Sequence, residues 1–342
     1  MTLVVDIFRK LIPPRTKTSP SGWTSFNAPC CGHRGHKPDN RKRGGLRFDH
    51  GIVYNCFNCK FTASWKPGRP LTEKFKNLCR WMGASDDDIR DMIFEALKTE
   101  SEEYQHEDSD ELIQFSKKEL PEATRTIKAW LNDRELADVV ASEISPVVQY
   151  LVDRGCDPLD DNFCWSPSDG FNDRVIIPFK YQGAVVGFTA RKVVDGKPKY
   201  ISDQHHHFVF NVDAQKEESK YVFVCEGPFD ALSVGGVALL TNEIADQQSR
   251  IINSLGKEVI VIPDQDLAGT VLIKQCIENG WSVAFPNWDS GVKDAAEAVQ
   301  KYGKLFVIVD AIKTAQSGAI KINMALKHLE NKIKIEQERE GI

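Results

Sequence analysis

The chain has 342 residues, 41% of them apolar and 27% charged, and its 49 Asp and Glu outnumber its 44 Lys and Arg for a formal charge of −5. That length exceeds one typical domain and implies two or three modules. No run of 18 apolar residues occurs, which excludes a membrane-spanning helix. The charge is unevenly spread, with 13 Lys and Arg against 3 acids in residues 1–69 and 31 against 46 in the remainder. A basic segment on an acidic chain is the footprint of a local contact with a polyanion.

Residues 1–19 hold one short amphipathic helix ended by Pro13-Pro14. The start is too polar and too short for a secretory signal, so an intracellular protein is expected. Residues 30–59 carry two knuckles. Cys30 and His33 form a C-x₂-H pair, with Cys31 and His36 as alternative donors, and Cys56 and Cys59 form a C-x₂-C pair. Four such ligands at one tetrahedral point suit structural Zn²⁺. Between the knuckles, Gly45–Phe48 and Ile52–Asn55 alternate apolar and polar residues across the turn Asp49-His50-Gly51, which predicts a β-hairpin and therefore a zinc ribbon. Arg41, Lys42, Arg43 and Arg47 are placed to meet phosphates, and Phe48, Tyr54 and Phe57 either stack on bases or pack the small ribbon core. Cys79, Cys156, Cys164, Cys225 and Cys276 read as scattered reduced thiols.

The segment 65–70, WKPGRP, closes the ribbon. Apolar residues at helical spacing predict helix over 71–98, and the seven acids of 100–111 read as a flexible linker. Residues 115–165 read as mostly helical. Then Asp173–Phe179 and Gly187–Val193 read as strands joined through Gly183, exposing Arg174, Arg191 and Lys192, with Lys199 just beyond. Lys and Arg on a sheet edge also serve simply to block aggregation.

Tyr221–Cys225 and Val259–Ile262 read as short buried parallel strands, followed respectively by Glu226 and by Asp264 and Asp266. Asp230 and Asp294 lie at further helix starts. A lone Asp after a strand is usually a helix cap, but several carboxylates at the C-terminal ends of parallel strands sit where open α/β sheets place their sites. Such an oxygen cluster suits Mg²⁺ or Mn²⁺ and phosphoryl transfer between nucleotides. The last stretch predicts a helix whose buried stripe is Ile320, Ile322, Met324, Leu326, Leu329 and Ile333.

The Glu-Gly-x-x-Asp pattern of Glu226, Gly227 and Asp230, followed by a strand and Asp-x-Asp, resembles the Toprim metal-binding fold over Lys220 to about Gly303. With the ribbon and the R-V-x-x-P, G-F-x-x-R and P-K-Y strings before it, the chain resembles a bacterial-type DNA primase, in particular the free-standing bacteriophage form. The resemblance covers 26–60 and 173–300 best, is weak over 70–150 and ends at about 305. It favours Cys30 and His33 as first zinc donors, although Pro29 precedes the first cysteine where the family has a proline after it. It implies a zinc ribbon at 1–70, a helical segment and linker at 71–114, and the first part of a mixed α+β RNA-polymerase domain at 115–219. Toprim at 220–304 and a helical end at 305–342 complete it.

The implied activity is synthesis of short RNA primers on a single-stranded DNA template from ribonucleoside triphosphates, in the cytoplasm of a bacterial host. Glu226, Asp264 and Asp266 would hold divalent cations, Asp230 and Asp294 would complete the cluster, and Arg174, Arg191 and Lys199 would hold template or nucleotide. No G-x₄-G-K-[ST] phosphate loop occurs, so the replicative helicase is expected to be a separate protein. The rival readings are a Toprim-type nuclease and a non-enzymatic zinc-dependent binding protein.

Overall fold

A computed structural model describes residues 3–14, 16–19, 22–48, 51–67, 69–103, 114–133, 138–215, 218–241, 243–289 and 291–340. The chain forms two compact units, Met1–Leu112 with Glu278–Gly280, and Ile113–Ile277 with Trp281–Ile342. The proposed turn residues Asp49 and His50, and the acidic stretch from 104 onward, lie outside the described residues.

The first unit contains α1 (Leu3–Lys10), β1 (Lys17–Thr18), β2 (Thr24–Phe26), the short helix α2 (Cys30–His33), β3 (Gly44–Phe48), β4 (Ile52–Cys56), β5 (Thr62–Trp65), α3 (Glu73–Trp81) and α4 (Asp86–Glu103). The five strands make one antiparallel sheet in sequence order. The period-two pattern of β4 puts Ile52, Tyr54 and Cys56 on the buried face. That face closes against Phe8 of α1 and Phe75 of α3, whose rings stack at 5.2 Å. Tyr54 is therefore a core residue, only 1% exposed, and not a base-stacking platform. Phe48 is half-buried beneath the Arg9 guanidinium, whereas Phe57 stands 60% exposed.

The second unit begins with β6 (Arg125–Thr126), α5 (Ile127–Leu131), α6 (Asp138–Asp153), β7 (Cys164–Trp165), β8 (Arg174–Tyr181), β9 (Ala184–Lys192) and β10 (Tyr200–Asp203). These strands form an antiparallel sheet ordered β10-β9-β8-β7-β6. The β8–β9 turn uses Gln182 and Gly183, both at positive φ (51° and 75°), as a two-residue hairpin with right-handed strand twist requires. There follow β11 (Tyr221–Cys225), α7 (Pro228–Val234), β12 (Val237–Ala238), α8 (Asp246–Asn253), β13 (Glu258–Val261), α9 (Leu267–Asn279), β14 (Ser282–Val283), α10 (Ala295–Tyr302), α11 (Lys304–Thr314) and α12 (Ala319–Glu340).

The second sheet of this unit runs β12-β11-β13-β14 with every pair parallel. Its central strands are apolar on both faces. Phe223, Cys225 and Ile260 enter one core, and Val222, Val224, Val259 and Val261 enter another. The second core is covered by α12 through Ile322, Leu326, Leu329 and Ile333. Ile320 and Met324, expected in that stripe, are 78% and 61% exposed, because the buried spacing settles on i, i+4, i+7 and i+11 instead. Among the described residues no helix is long and apolar enough to cross a membrane.

Candidate active site and metal centre

The chain leaves β11 for β12 on one side and then returns to β13 on the other. The gap beyond β11 and β13 is thus a topological switch point, where two loops diverge and leave a crevice. Glu226 follows β11 directly, and Asp264 lies two residues beyond Ile262 of the β13 run. Glu226 Oε1 accepts the Asp264 main-chain N–H at 3.4 Å, and the Gln265 N–H donates to the Lys293 carbonyl at 2.8 Å, lacing three loops together. Gly269, in the first turn of α9, packs against the Asp264 carbonyl so closely that a Cβ there would stand 2.1 Å from the oxygen. No periodicity signal marks Gly269, because its role is a close approach and not a turn.

The other three acids belong to helix starts. Asp266 Oδ1 accepts the Gly269 N–H at 2.9 Å, and Asp294 caps α10 by accepting the Glu297 N–H at 2.8 Å. Asp230, on α7 and 8% exposed, accepts the Ala296 N–H at 3.0 Å. Asp230 and Asp294 thus converge on the positive end of α10.

Burial raises Asp264 from 3.8 to about 8, and the neighbouring Asp230, Glu226, Asp294 and Asp266 push it the same way. Burial, with Asp294, raises Asp230 to about 7, and Glu226 is also raised, chiefly by burial. Five carboxylates in one field favour a cation among them. Their oxygens are nevertheless more widely spaced than the cysteine sulfurs described below, which alone among the described residues bring three or more metal-donor atoms within 4.8 Å of one another.

The basic strands divide by face. Arg174 pairs opposite Lys192, and Val175 opposite Arg191, so Arg174 and Arg191 point to opposite sides of the sheet. Arg174 is 3% exposed and spends its guanidinium on the carbonyls of Gly170, Ala190, Pro198 and Lys199. It is committed to main-chain carbonyls, where the sequence reading expected a residue that holds template or nucleotide. Arg191 lies instead on the side of Val175, between the rings of Tyr150 (5.5 Å) and Tyr200 (5.1 Å), and its Nε is buried without a hydrogen-bond partner. Lys199 is exposed.

Sequence reasoning missed Arg154. Its guanidinium sits over the rings of Phe229 at 4.8 Å and Tyr150 at 5.8 Å. Burial acts to lower its proton affinity, but Tyr150, Asp294 and Asp230 outweigh that and raise it. The only sequence signal is an Arg-Gly pair at the end of a helix.

In the ribbon, the four buried donors drawn together are Cys30, Cys31, Cys56 and Cys59. Cys30 Sγ lies 3.5 Å from Cys59 Sγ, and Cys31 Sγ 3.6 Å from Cys56 Sγ. Tetrahedral zinc with Zn–S near 2.3 Å sets sulfurs about 3.8 Å apart, so the quartet fits a structural zinc ion. The expected donor His33 is outside the set. Its exposed ring stacks on Trp81 at 5.1 Å, and Cys31 takes its place. Cys59 is held down to about 4, first by the hydrogen bond from Cys30 and also by Arg34, whereas burial raises Cys31 to about 11.

No protein-family model matches the chain. It is 27% identical over 155 residues to the DNA primase of Clostridium acetobutylicum, covering 40% of this chain and 26% of that protein. It is also 27% identical over 218 residues to the DNA primase of Aquifex aeolicus, covering 51% and 44%. The chain thus spans less than half the length of these curated relatives. Among solved structures it is similar to a primase catalytic domain bound to single-stranded DNA (18% identity, TM-score 0.44, covering 56% of this chain and 79% of that one). It is similar as well to the zinc-binding and RNA polymerase domains of the Aquifex aeolicus primase (20% identity, TM-score 0.36, covering 92% and 83%). The fold and site define a zinc-ribbon protein with an acid-lined parallel sheet. Over part of their length, the curated proteins it is similar to are DNA primases.

Proposed function

We propose that this chain is a DNA primase that makes short RNA primers on single-stranded DNA, of the bacteriophage type and working beside a separate helicase. The observation that carries the reading is the pair Glu226 and Asp264 at the ends of adjacent parallel strands, with Asp264 raised to about 8 by burial and surrounding acids. Residues 220–304 form the catalytic module, 115–219 the basic part of the polymerase domain, and 1–70 the template-binding ribbon, with 71–114 joining them and 305–342 a helical end.

Glu226, Asp264 and Asp266 would hold Mg²⁺ or Mn²⁺, and the bound ion would supply activation of the primer 3′-hydroxyl and charge neutralisation of the pyrophosphate leaving group. Asp230 and Asp294 anchor α10 and fix the third loop beside those acids. Arg191 and Arg154, held by aromatic rings, present guanidinium edges to phosphate, and exposed Lys199 offers a further charge. Ribonucleoside triphosphates and the template strand are the ligands this arrangement serves.

The test is incubation with single-stranded DNA, Mg²⁺ and ribonucleotides. New short RNA supports the reading, shortened DNA identifies a nuclease, and retarded but unchanged DNA identifies a binding module. Asp264→Asn is expected to abolish synthesis while keeping DNA binding, and synthesis at the normal rate would remove the metal assignment.

A further inference from the structure

Within the basic ribbon, Asp39 is the acid that the electrostatics make hardest to explain, since a carboxylate among phosphate-binding residues repels the ligand. Its side chain is fully buried, and its two oxygens accept four donors. Oδ2 takes the main-chain N–H groups of Ala28 at 2.9 Å and Arg43 at 2.7 Å. Oδ1 takes the N–H of Arg41 at 3.0 Å and the Arg43 Nε–H at 2.9 Å. These donors hold its proton affinity down to about 2 despite burial, so the charge is permanent and internally neutralised.

Around this carboxylate the loop is folded tightly. Lys42 sits at φ 54°, and its N–H donates to Asn27 Oδ1 at 3.0 Å. The Arg43 carbonyl accepts the Phe57 N–H at 2.9 Å, tying the loop to the second cysteine knuckle. Ala28 ties it to the first, two residues before Cys30. Arg43 is thereby held through its Nε on Asp39, with its side chain 34% exposed, while Arg41 and Lys42 remain exposed.

We propose that Asp39 is a positioning residue that locks Arg41 and Lys42 outward as a phosphate clamp on the ribbon and removes Arg43 from that role. The inference rests on the reading of the ribbon as the template-binding module. Preorganisation matters because ordering two long basic side chains and their loop at the moment of binding costs affinity.

The experiment measures binding of a single-stranded oligonucleotide to the zinc-loaded full chain as a function of salt. Each phosphate contact to a single strand contributes a slope of about −0.7 in log K against log salt. Arg41→Gln and Lys42→Gln are each expected to flatten the slope by about 0.7, and Arg43→Gln by much less. Asp39→Asn, which puts an N–H donor where an acceptor is needed, is expected to weaken binding about fivefold to tenfold with zinc content unchanged. Added to the Arg41→Gln/Lys42→Gln double variant, it should change little, since it acts through those residues. A slope change for Arg43→Gln equal to that for Arg41→Gln overturns the proposal, as does full additivity of Asp39→Asn. Should Asp39→Asn lose zinc, the Arg43→Gln comparison alone decides. Binding that follows this pattern without primer synthesis would sink the primase reading and leave this one standing.

Discussion

Neutralising Asp264 should stabilise the metal-free protein, and the sign follows from the site. The fold raises this carboxyl from 3.8 to about 8, so its ionised form is disfavoured in the native state. Stability attached to it is full below pH 3.8 and is lost as pH climbs through about 8. At roughly 1.4 kcal/mol per tenfold change in proton affinity, the penalty above pH 8 is at most about 6 kcal/mol. The side chain is only half-buried, and rotation toward water with a high effective dielectric reduces this to about 2–3 kcal/mol. In EDTA at pH 8, Asp264→Asn should therefore raise the Tm of the second unit by about 5–10 °C, at 2–4 °C per kcal/mol for a unit of this size. At pH 4 the two proteins should melt together. Millimolar Mn²⁺ should raise the wild-type Tm at pH 8 and leave the variant where it was. Differential scanning calorimetry reads all three. A variant that melts at or below wild type in EDTA at pH 8 refutes the reasoning, because it would mean that the carboxylate already has a compensating partner in the protein.

Two further outcomes test the corrected assignments. Cys31→Ser should lose the stoichiometric zinc seen by atomic absorption, whereas His33→Ala should keep it, since the His33 ring stacks on Trp81 outside the thiol quartet. Arg174→Ala should cost about 2–4 kcal/mol in urea unfolding, because four carbonyls lose their donor, whereas Arg191→Ala should stay within about 1 kcal/mol and instead raise the KM for nucleotide or template.

The parallel sheet was legible because Tyr221–Cys225 and Val259–Ile262 are continuous β-branched and aromatic runs, which only a strand buried on both faces requires. Acids directly after such runs are placed by chain continuity alone, since a residue next to a strand end has little freedom. The ribbon hairpin was legible for a similar reason, because period-two alternation in Ile52–Cys56 admits one buried face.

Local pattern says nothing about competition between equivalent groups. Cys30, Cys31, His33 and His36 all lie within one short stretch, residues 30–36, and spacing cannot rank them. Trp81, distant in sequence, takes the His33 ring and leaves the sulfurs to converge. Arg174 and Arg191 read as the same kind of exposed strand residue, yet β8–β9 register sends them to opposite faces, and the Pro198 and Lys199 carbonyls then capture Arg174. By itself the sequence determined the ribbon hairpin, the central parallel strands and which acids follow them, because those depend on periodicity and chain connectivity. The stretch 115–165, read as mostly helical, is helical among the described residues only at Ile127–Leu131 and Asp138–Asp153. Only the tertiary structure decided which donors meet, which cations are spent inside and how far Asp264 is driven from its ordinary proton affinity, because burial and long-range partners set those energies.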